Sequence, residues 1–436
     1  MDDPRISKLS RRNVVKAGAA LAATPLAAGT GFAPAALAAQ TGDPAEVARN
    51  RTLILRWGGQ EGRYIDHELW NGYPVGANHQ NGLGIFYEPL AYYSAFADET
   101  IPWLAEKWEY NADSTELVIT TRTGITWSDG EPFSAEDVAY TIQTLTTLGS
   151  SVKWSTDVAQ FVESAVAENE TTVRVTFKVP APRFFYFMTY KYDIGVYMVP
   201  KHIYEGKDWA TFTAYDIPNG LPVTTGPWRL VFASPDQKVI DRAESWWAVD
   251  AGLVDAMPAV ERIVYLPFAD ETQVAQQLIQ NQVDCALDLR PFTMETILQQ
   301  NPAIITHSGT EPPYGYVDWW PTSLYVNNEV PPFDDPDVRW ALSSFIDREQ
   351  IISVAYGGAG STHPVPMPSY PGLQPYVESI AGLLEQYPTL EFNPDKGTKL
   401  LTDKGWAKNG DGFWEKGGQV LKVPIGGINI FADIGP

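Results

Sequence analysis

The chain has a single cysteine, Cys285, in 436 residues, which excludes an internal disulfide framework. It is also short of positive charge: 31 lysines and arginines stand against 53 acidic residues, for a formal net charge of −22. A surface of that sign repels phosphate backbones and anionic lipid headgroups, so no nucleic acid is expected as a partner. Past the N-terminal region no apolar run reaches membrane-spanning length, so no membrane insertion is expected. No repeat of fixed period occurs, which speaks against an adhesive or structural array. The G-x-S-x-G, H-E-x-x-H, phosphate-loop and dinucleotide signatures are all missing, and the chain does not read as an enzyme. Its five histidines, at positions 67, 79, 202, 307 and 363, have no short metal-ligand spacing, so neither a metal nor a cofactor is expected. A secreted hydrolase using two carboxylates remains as an alternative of another class. So many acidic residues always supply some pair, and the sequence singles none out.

What is abundant is aromatic side chain and turn chemistry. There are 15 tryptophans and 21 tyrosines, with 35 glycines and 34 prolines. Hydrophobic residues at 44% and charged residues at 19% describe a folded chain, long enough for two or three cores.

The N-terminus reads as an address. Ser10-Arg11-Arg12-Asn13-Val14-Val15-Lys16 precedes an uncharged stretch, Ala17 to Ala39, that closes on Ala36-Leu37-Ala38, an A-x-A cleavage pattern. Paired arginines in this setting resemble the twin-arginine export signal. Residues 1–38 are expected to be removed. No cysteine follows the cleavage site, so a soluble periplasmic or secreted product without a lipid anchor is expected.

Further along, Thr52 to Trp57 reads as a strand stopped by Gly58-Gly59. A loop from Gln60 to Gly84, rich in glycine, asparagine, tyrosine and tryptophan, follows as a surface or cleft-lining segment. Thr115–Arg122 and Thr171–Lys178 read as strands, the second alternating Val173, Val175 and Phe177 against Arg174, Thr176 and Lys178. Ser134-Ala135-Glu136-Asp137 predicts a capping box, with Phe133 stapled onto Val138. Asp270 opens a helix that leads to a strand at Val283–Leu287. Asp335-Pro336-Asp337 predicts a capped helix with apolar residues at 338, 341, 342, 345 and 346. Asp347-Arg348-Glu349-Gln350 predicts a second capping box, its helix ending at Gly357-Gly358. Cys285 is expected to be a buried, inert thiol, and Trp127, Trp228 and Trp246-Trp247 to be core.

Five segments carry a family resemblance. They are Tyr87-Glu88-Pro89-Leu90 with Pro102-Trp103-Leu104-Ala105-Glu106-Lys107-Trp108; Thr123-Gly124-Ile125-Thr126-Trp127-Ser128-Asp129-Gly130-Glu131-Pro132-Phe133-Ser134-Ala135-Glu136-Asp137-Val138; Thr225-Gly226-Pro227-Trp228; Leu324-Tyr325-Val326-Asn327 through Pro332-Phe333-Asp334-Asp335-Pro336-Asp337-Val338-Arg339 to Ile346-Asp347-Arg348; and Phe392-Asn393-Pro394-Asp395 through Gly405-Trp406 to Asp411-Gly412. In this order they resemble family 5 of the extracellular solute-binding proteins, the oligopeptide-, dipeptide- and nickel-binding group of bacterial ABC importers.

The resemblance implies an α/β, two-lobed periplasmic-binding-protein fold of type II, in its large three-subdomain variety. It implies a first lobe over 39–310 and a second over 311–436, incomplete because members of the family continue well past this point. The acidic residue with which the family captures a peptide's amino group is expected in that further region. The implied function is capture of short peptides, with oligosaccharides as the alternative, for delivery to a membrane ABC permease; a monomer is expected. Ligand-facing candidates are Gln60, Glu61, Asn78, His79 and Asn81 in the loop after the first strand, Trp319 and Trp320 before an expected strand Leu324–Asn327, Asn327 itself, and His363. Aromatic faces there would stack on peptide side chains or sugar rings. The amides serve equally well as turn formers, and only one of two successive tryptophans in a strand faces a ligand.

Overall fold

A computed structural model describes residues 47–60, 62–78, 82–191, 194–287, 289–318 and 322–426. The export-signal segment therefore lies outside the described residues. The chain divides into two compact units, one holding the residues up to Ser94 together with Glu99–Leu287, the other Ala95–Asp98 and the described residues after Leu287.

The first unit is built on three sheets. In one, β1 (Thr52–Arg56) lies between β12 (Cys285–Ala286) and β11 (Arg262–Leu266), parallel to both, while β10 (Gln237–Arg242) and β9 (Trp228–Ser234) continue the sheet antiparallel. The second has the order β4-β5-β7-β6, all antiparallel, from β4 (Ala105–Tyr110), β5 (Glu116–Thr121), β6 (Val162–Asn169) and β7 (Thr172–Phe177). The third is small: β3 (Glu99–Pro102), β2 (Ala91–Ser94) and β8 (Thr189–Lys191).

The alternation expected for residues 171–178 is present. Val173, Val175 and Phe177 are buried while Arg174 and Thr176 lie on the wetter face, where Arg174 bridges Glu116 and Glu168 at 2.9 and 2.6 Å. The helix Ala135–Leu145 packs onto the inner face of that sheet through Val138, Ile142 and Leu145. Its capping box forms as expected, with the Ser134 hydroxyl taking the Glu136 N–H and the Asp137 carboxylate taking the Ser134 N–H at 3.0 Å. The preceding Trp-Ser-Asp-Gly stretch is a turn, and Asp129 closes it by accepting from the Glu131 N–H while its other oxygen meets His202 at 2.7 Å.

Most of the expected core tryptophans are buried: Trp127, Trp228 and Trp247 fully, Trp246 in part. Glu88 joins the last two to Trp103. This buried carboxyl accepts the indole N–H groups of Trp103, Trp246 and Trp247 at 2.8, 3.1 and 2.8 Å. Burial raises its pKa above the usual carboxylate range, against the opposing pull of Thr225 and the three indoles.

The second unit has a smaller core. Helices Pro336–Ser344 and Pro394–Asp403 pack on each other through Val338, Ala341 and Leu401, and Trp406 joins them. Gly397 sits where a Cβ would meet the Phe345 ring at 2.8 Å and the Ala341 carbonyl at 3.0 Å, so the contact needs glycine. A three-stranded sheet, β13 (Ala407–Lys408), β14 (Trp414–Lys416) and β15 (Gln419–Val420), follows. Asp335 and Asp347 cap their helices through the Asp337 and Gln350 N–H groups, and the second helix spans Arg348–Ala355, ending before the Gly357-Gly358 pair.

Three local expectations change. Leu324–Asn327 is not a strand: among the described residues this unit has no strand pairing with it, and a strand without a ladder partner leaves its backbone groups to water. Leu324 and Tyr325 are accordingly exposed. The strand expected over 283–287 shortens to Cys285–Ala286. Cys285 is half-buried rather than fully buried, and burial, then the neighbouring Asp284 charge, raises its thiol pKa.

Candidate functional site

The loop after β1 leaves the carboxyl end of a strand flanked by two parallel neighbours, the place where open α/β sheets bind ligands. Its base is rigid. Buried Arg56 donates to the Gln277 side chain at 2.9 Å and to the Pro267 carbonyl at 2.6 Å. The ends of β1 and β11 are zipped by Trp57 N–H to Leu266 O at 2.9 Å and Phe268 N–H to Gly58 O at 2.7 Å. Gly59 then turns the chain at φ +80°, where an added Cβ would lie 2.8 Å from both the Arg63 carbonyl oxygen and Pro267 Cβ. The turn presents Gln60, exposed, with its backbone paired to Arg63 in both directions at 2.8 and 3.0 Å.

From there the loop is pinned along its length. The Tyr64 N–H donates to Pro235 O at 2.7 Å and its hydroxyl to Trp57 O at 2.8 Å. Asn71, fully buried, donates to the carbonyls of Trp209 and Phe212 at 3.0 and 2.9 Å. The Tyr73 hydroxyl donates to Tyr197 O at 2.5 Å. The Lys153 ammonium donates to the Ala77 carbonyl, which fixes the backbone immediately before half-buried Asn78. Burial lowers the Lys153 pKa.

Gln60 and Asn78 thus sit on one anchored loop of the first unit. Glu61, His79, Asn81, Trp319 and Trp320 lie outside the described residues. Asn327 and His363 belong to the second unit, where both take part in turns: Asn327 Oδ1 accepts the Glu329 N–H at 2.9 Å, and His363 Nδ1 is 3.0 Å from Val365 O. Among the described residues no cluster of three or more His, Cys, Asp or Glu side chains could hold a metal ion, and no helix is long and apolar enough to cross a membrane. The anchors Lys153 and Arg56 were not singled out from sequence, and neither was Lys238, whose ammonium meets Asp66 of the same loop at 3.5 Å. Lys238 was the readable one, since it occupies the inward register of β10 alternating with Ile240.

The model of the bacterial extracellular solute-binding proteins, family 5 Middle, matches residues 99–425. The chain belongs to this family. The nickel-binding periplasmic protein of Escherichia coli is 25% identical over 360 residues, covering 80% of this chain and 61% of that protein. The periplasmic oligopeptide-binding protein OppA of the same organism is 24% identical over 426 residues, covering 92% of this chain and 70% of its own length. Among solved structures, the periplasmic oligopeptide-binding protein of a Thermotoga maritima oligopeptide ABC transporter superposes with a TM-score of 0.69 at 25% identity, over 84% of this chain and 65% of that one. The same protein with mannohexaose bound gives a TM-score of 0.66 at 26% identity and the same coverage. The fold is therefore the α/β periplasmic-binding-protein fold of family 5. The chain spans about three fifths of the nickel-binding relative and just under two thirds of the Thermotoga protein.

Proposed function

We propose that this protein is the substrate-binding component of an ABC importer, capturing short peptides outside the cytoplasmic membrane and presenting them to a membrane permease. Family membership across residues 99–425 carries the reading. The reading takes the family's two-lobed trap as the mechanism, with a closed form stabilised by ligand. Binding needs no bond cleavage, so the protein is a receptor and not an enzyme. Gln60 and Asn78 contribute polar contacts from the loop after β1, with Glu61, His79, Asn81, Trp319, Trp320, Asn327 and His363 as the further candidates. Delivery to the outside follows the twin-arginine signal of residues 1–38.

An oligosaccharide is the second reading, favoured by the mannohexaose held by the Thermotoga relative. A thermal-shift screen against di- to pentapeptides and manno- and cello-oligosaccharides separates the two, because a ligand that binds only the folded state raises the melting temperature by mass action. Peptides alone raising it supports the first reading, and sugars alone the second. Chemical turnover of any probe in the same samples would overturn the receptor assignment.

A further inference from the structure

Lys238 stands on β10, the strand next to the β9 edge of the five-stranded sheet, and is 1% exposed, inside a wall of the loop after β1. Its ammonium nitrogen lies 4.8 Å over the Tyr64 ring, 5.1 Å over the Trp70 ring and 3.5 Å from Asp66 Oδ1. All three partners come from one seven-residue stretch of the loop, while Lys238 comes from a strand far away in sequence. The stretch is also folded on itself: Leu69 N–H donates to Asp66 O and Trp70 Nε1 to His67 O, both at 2.9 Å.

An ammonium removed from water is expensive, and burial pushes this one down to about 8. One carboxylate at 3.5 Å and two π faces offset that only in part. A methionine would fill the same space without the desolvation penalty, so the charge does not serve the packing of the sheet. What it adds is direction, because an ammonium between two ring faces and a carboxylate admits one arrangement of those three groups.

We propose that Lys238 is a positioning residue that clasps Tyr64, Asp66 and Trp70 and so holds Gln60 and Asn78, on either side of them, in the conformation that meets a ligand. The ligand-facing part of this rests on the importer reading; the clasp itself does not.

The test compares the wild-type protein with Lys238→Met and Asp66→Asn by melting temperature, by hydrogen exchange of peptides covering residues 62–78, and by calorimetric binding of trialanine and mannohexaose. Lys238→Met is expected to melt no lower than wild type, while the amides of Tyr64 to Trp70 exchange about tenfold faster or more. Affinity for whichever probe the wild type binds is expected to drop about tenfold. A Lys238→Met protein with unchanged melting temperature, loop exchange and affinity overturns the proposal. If that variant does not fold, Asp66→Asn decides by the same exchange readout, with unchanged protection counting against the clasp. If neither probe binds the wild type, the importer reading loses its support, and loop exchange alone decides the clasp.

Discussion

The Glu88 knot offers the sharpest test of how the first unit is held together. Three indole N–H groups from two distant chain segments converge on one buried carboxyl, and Trp103 also packs edge-on to Trp247 with ring centroids 5.4 Å apart. Replacing Glu88 with alanine removes every acceptor at once. Each orphaned buried donor costs about 1–3 kcal/mol, so three give roughly 3–9 kcal/mol, or about 2–6 where one regains water. That is comparable with the whole stability of many domains, about 5–15 kcal/mol. Glutamine keeps one carbonyl oxygen but turns an NH2 toward indole donors, and should lose about 2 kcal/mol. Urea denaturation followed by tryptophan fluorescence measures both. The pH dependence adds a second readout. The folded pKa of Glu88 is raised, so between the ordinary carboxylate range and the raised value the folded state binds more protons than the unfolded one. Stability from this group therefore falls as pH rises through that window, and Glu88→Gln should flatten the slope. An alanine variant as stable as wild type would refute the reasoning, since the indoles would then have other acceptors.

Three further perturbations follow from the same structure. Lys191 and Lys238 are both pushed down to about 8 by burial, so the unfolded state binds more protons between about pH 8 and the ordinary lysine value, and their contribution to stability should rise with pH across that interval; Lys191→Met with Lys238→Met should reduce the rise in a pH series of melting curves, leaving the part that half-buried Lys153 contributes. Ser134→Ala deletes one arm of the capping box and should destabilise by about 1 kcal/mol in denaturant titrations, with binding of any ligand unaffected. Gly59→Ala places a Cβ 2.8 Å from backbone at a positive φ, and should cost about 1–3 kcal/mol while also weakening ligand binding through Gln60; a variant with wild-type affinity would detach that turn from the site.

Much of the fold was legible because its signals are local. The alternation of residues 172–177 and the caps at Ser134, Asp270, Asp335 and Asp347 each depend on neighbours a few positions away, and each forms. The segment Leu324–Asn327 shows the limit of such reading. Its run of Leu324, Tyr325 and Val326 suits a strand, but a strand is a property of two segments, and pairing is not written in one of them. The Glu88 knot was hidden for the same reason. Trp246 and Trp247 were expected as core aromatics, yet burial of an indole leaves a donor to satisfy, and only the folded chain shows that they share one carboxyl with Trp103.

The candidate site was legible as a loop and not as a set of contacts. Glycine, asparagine and aromatic content marked residues 60–84 as irregular backbone at the end of a strand, and the structure places that loop beside two parallel strand ends. Composition rich in glycine suggests flexibility, whereas the loop is anchored by half-buried Lys153 and buried Lys238, which stand 76 and 172 positions from Ala77 and Asp66, the residues they hold. An isolated lysine in an alternating strand ordinarily marks the wet face. At 238 the alternation with Ile240 put it on the dry face instead, and the aromatic rings of Tyr64 and Trp70 in the loop make this tolerable. The aromatic side chains of Tyr64 and Trp70 are thus turned inward, onto a strand lysine, and hold the backbone of the loop itself.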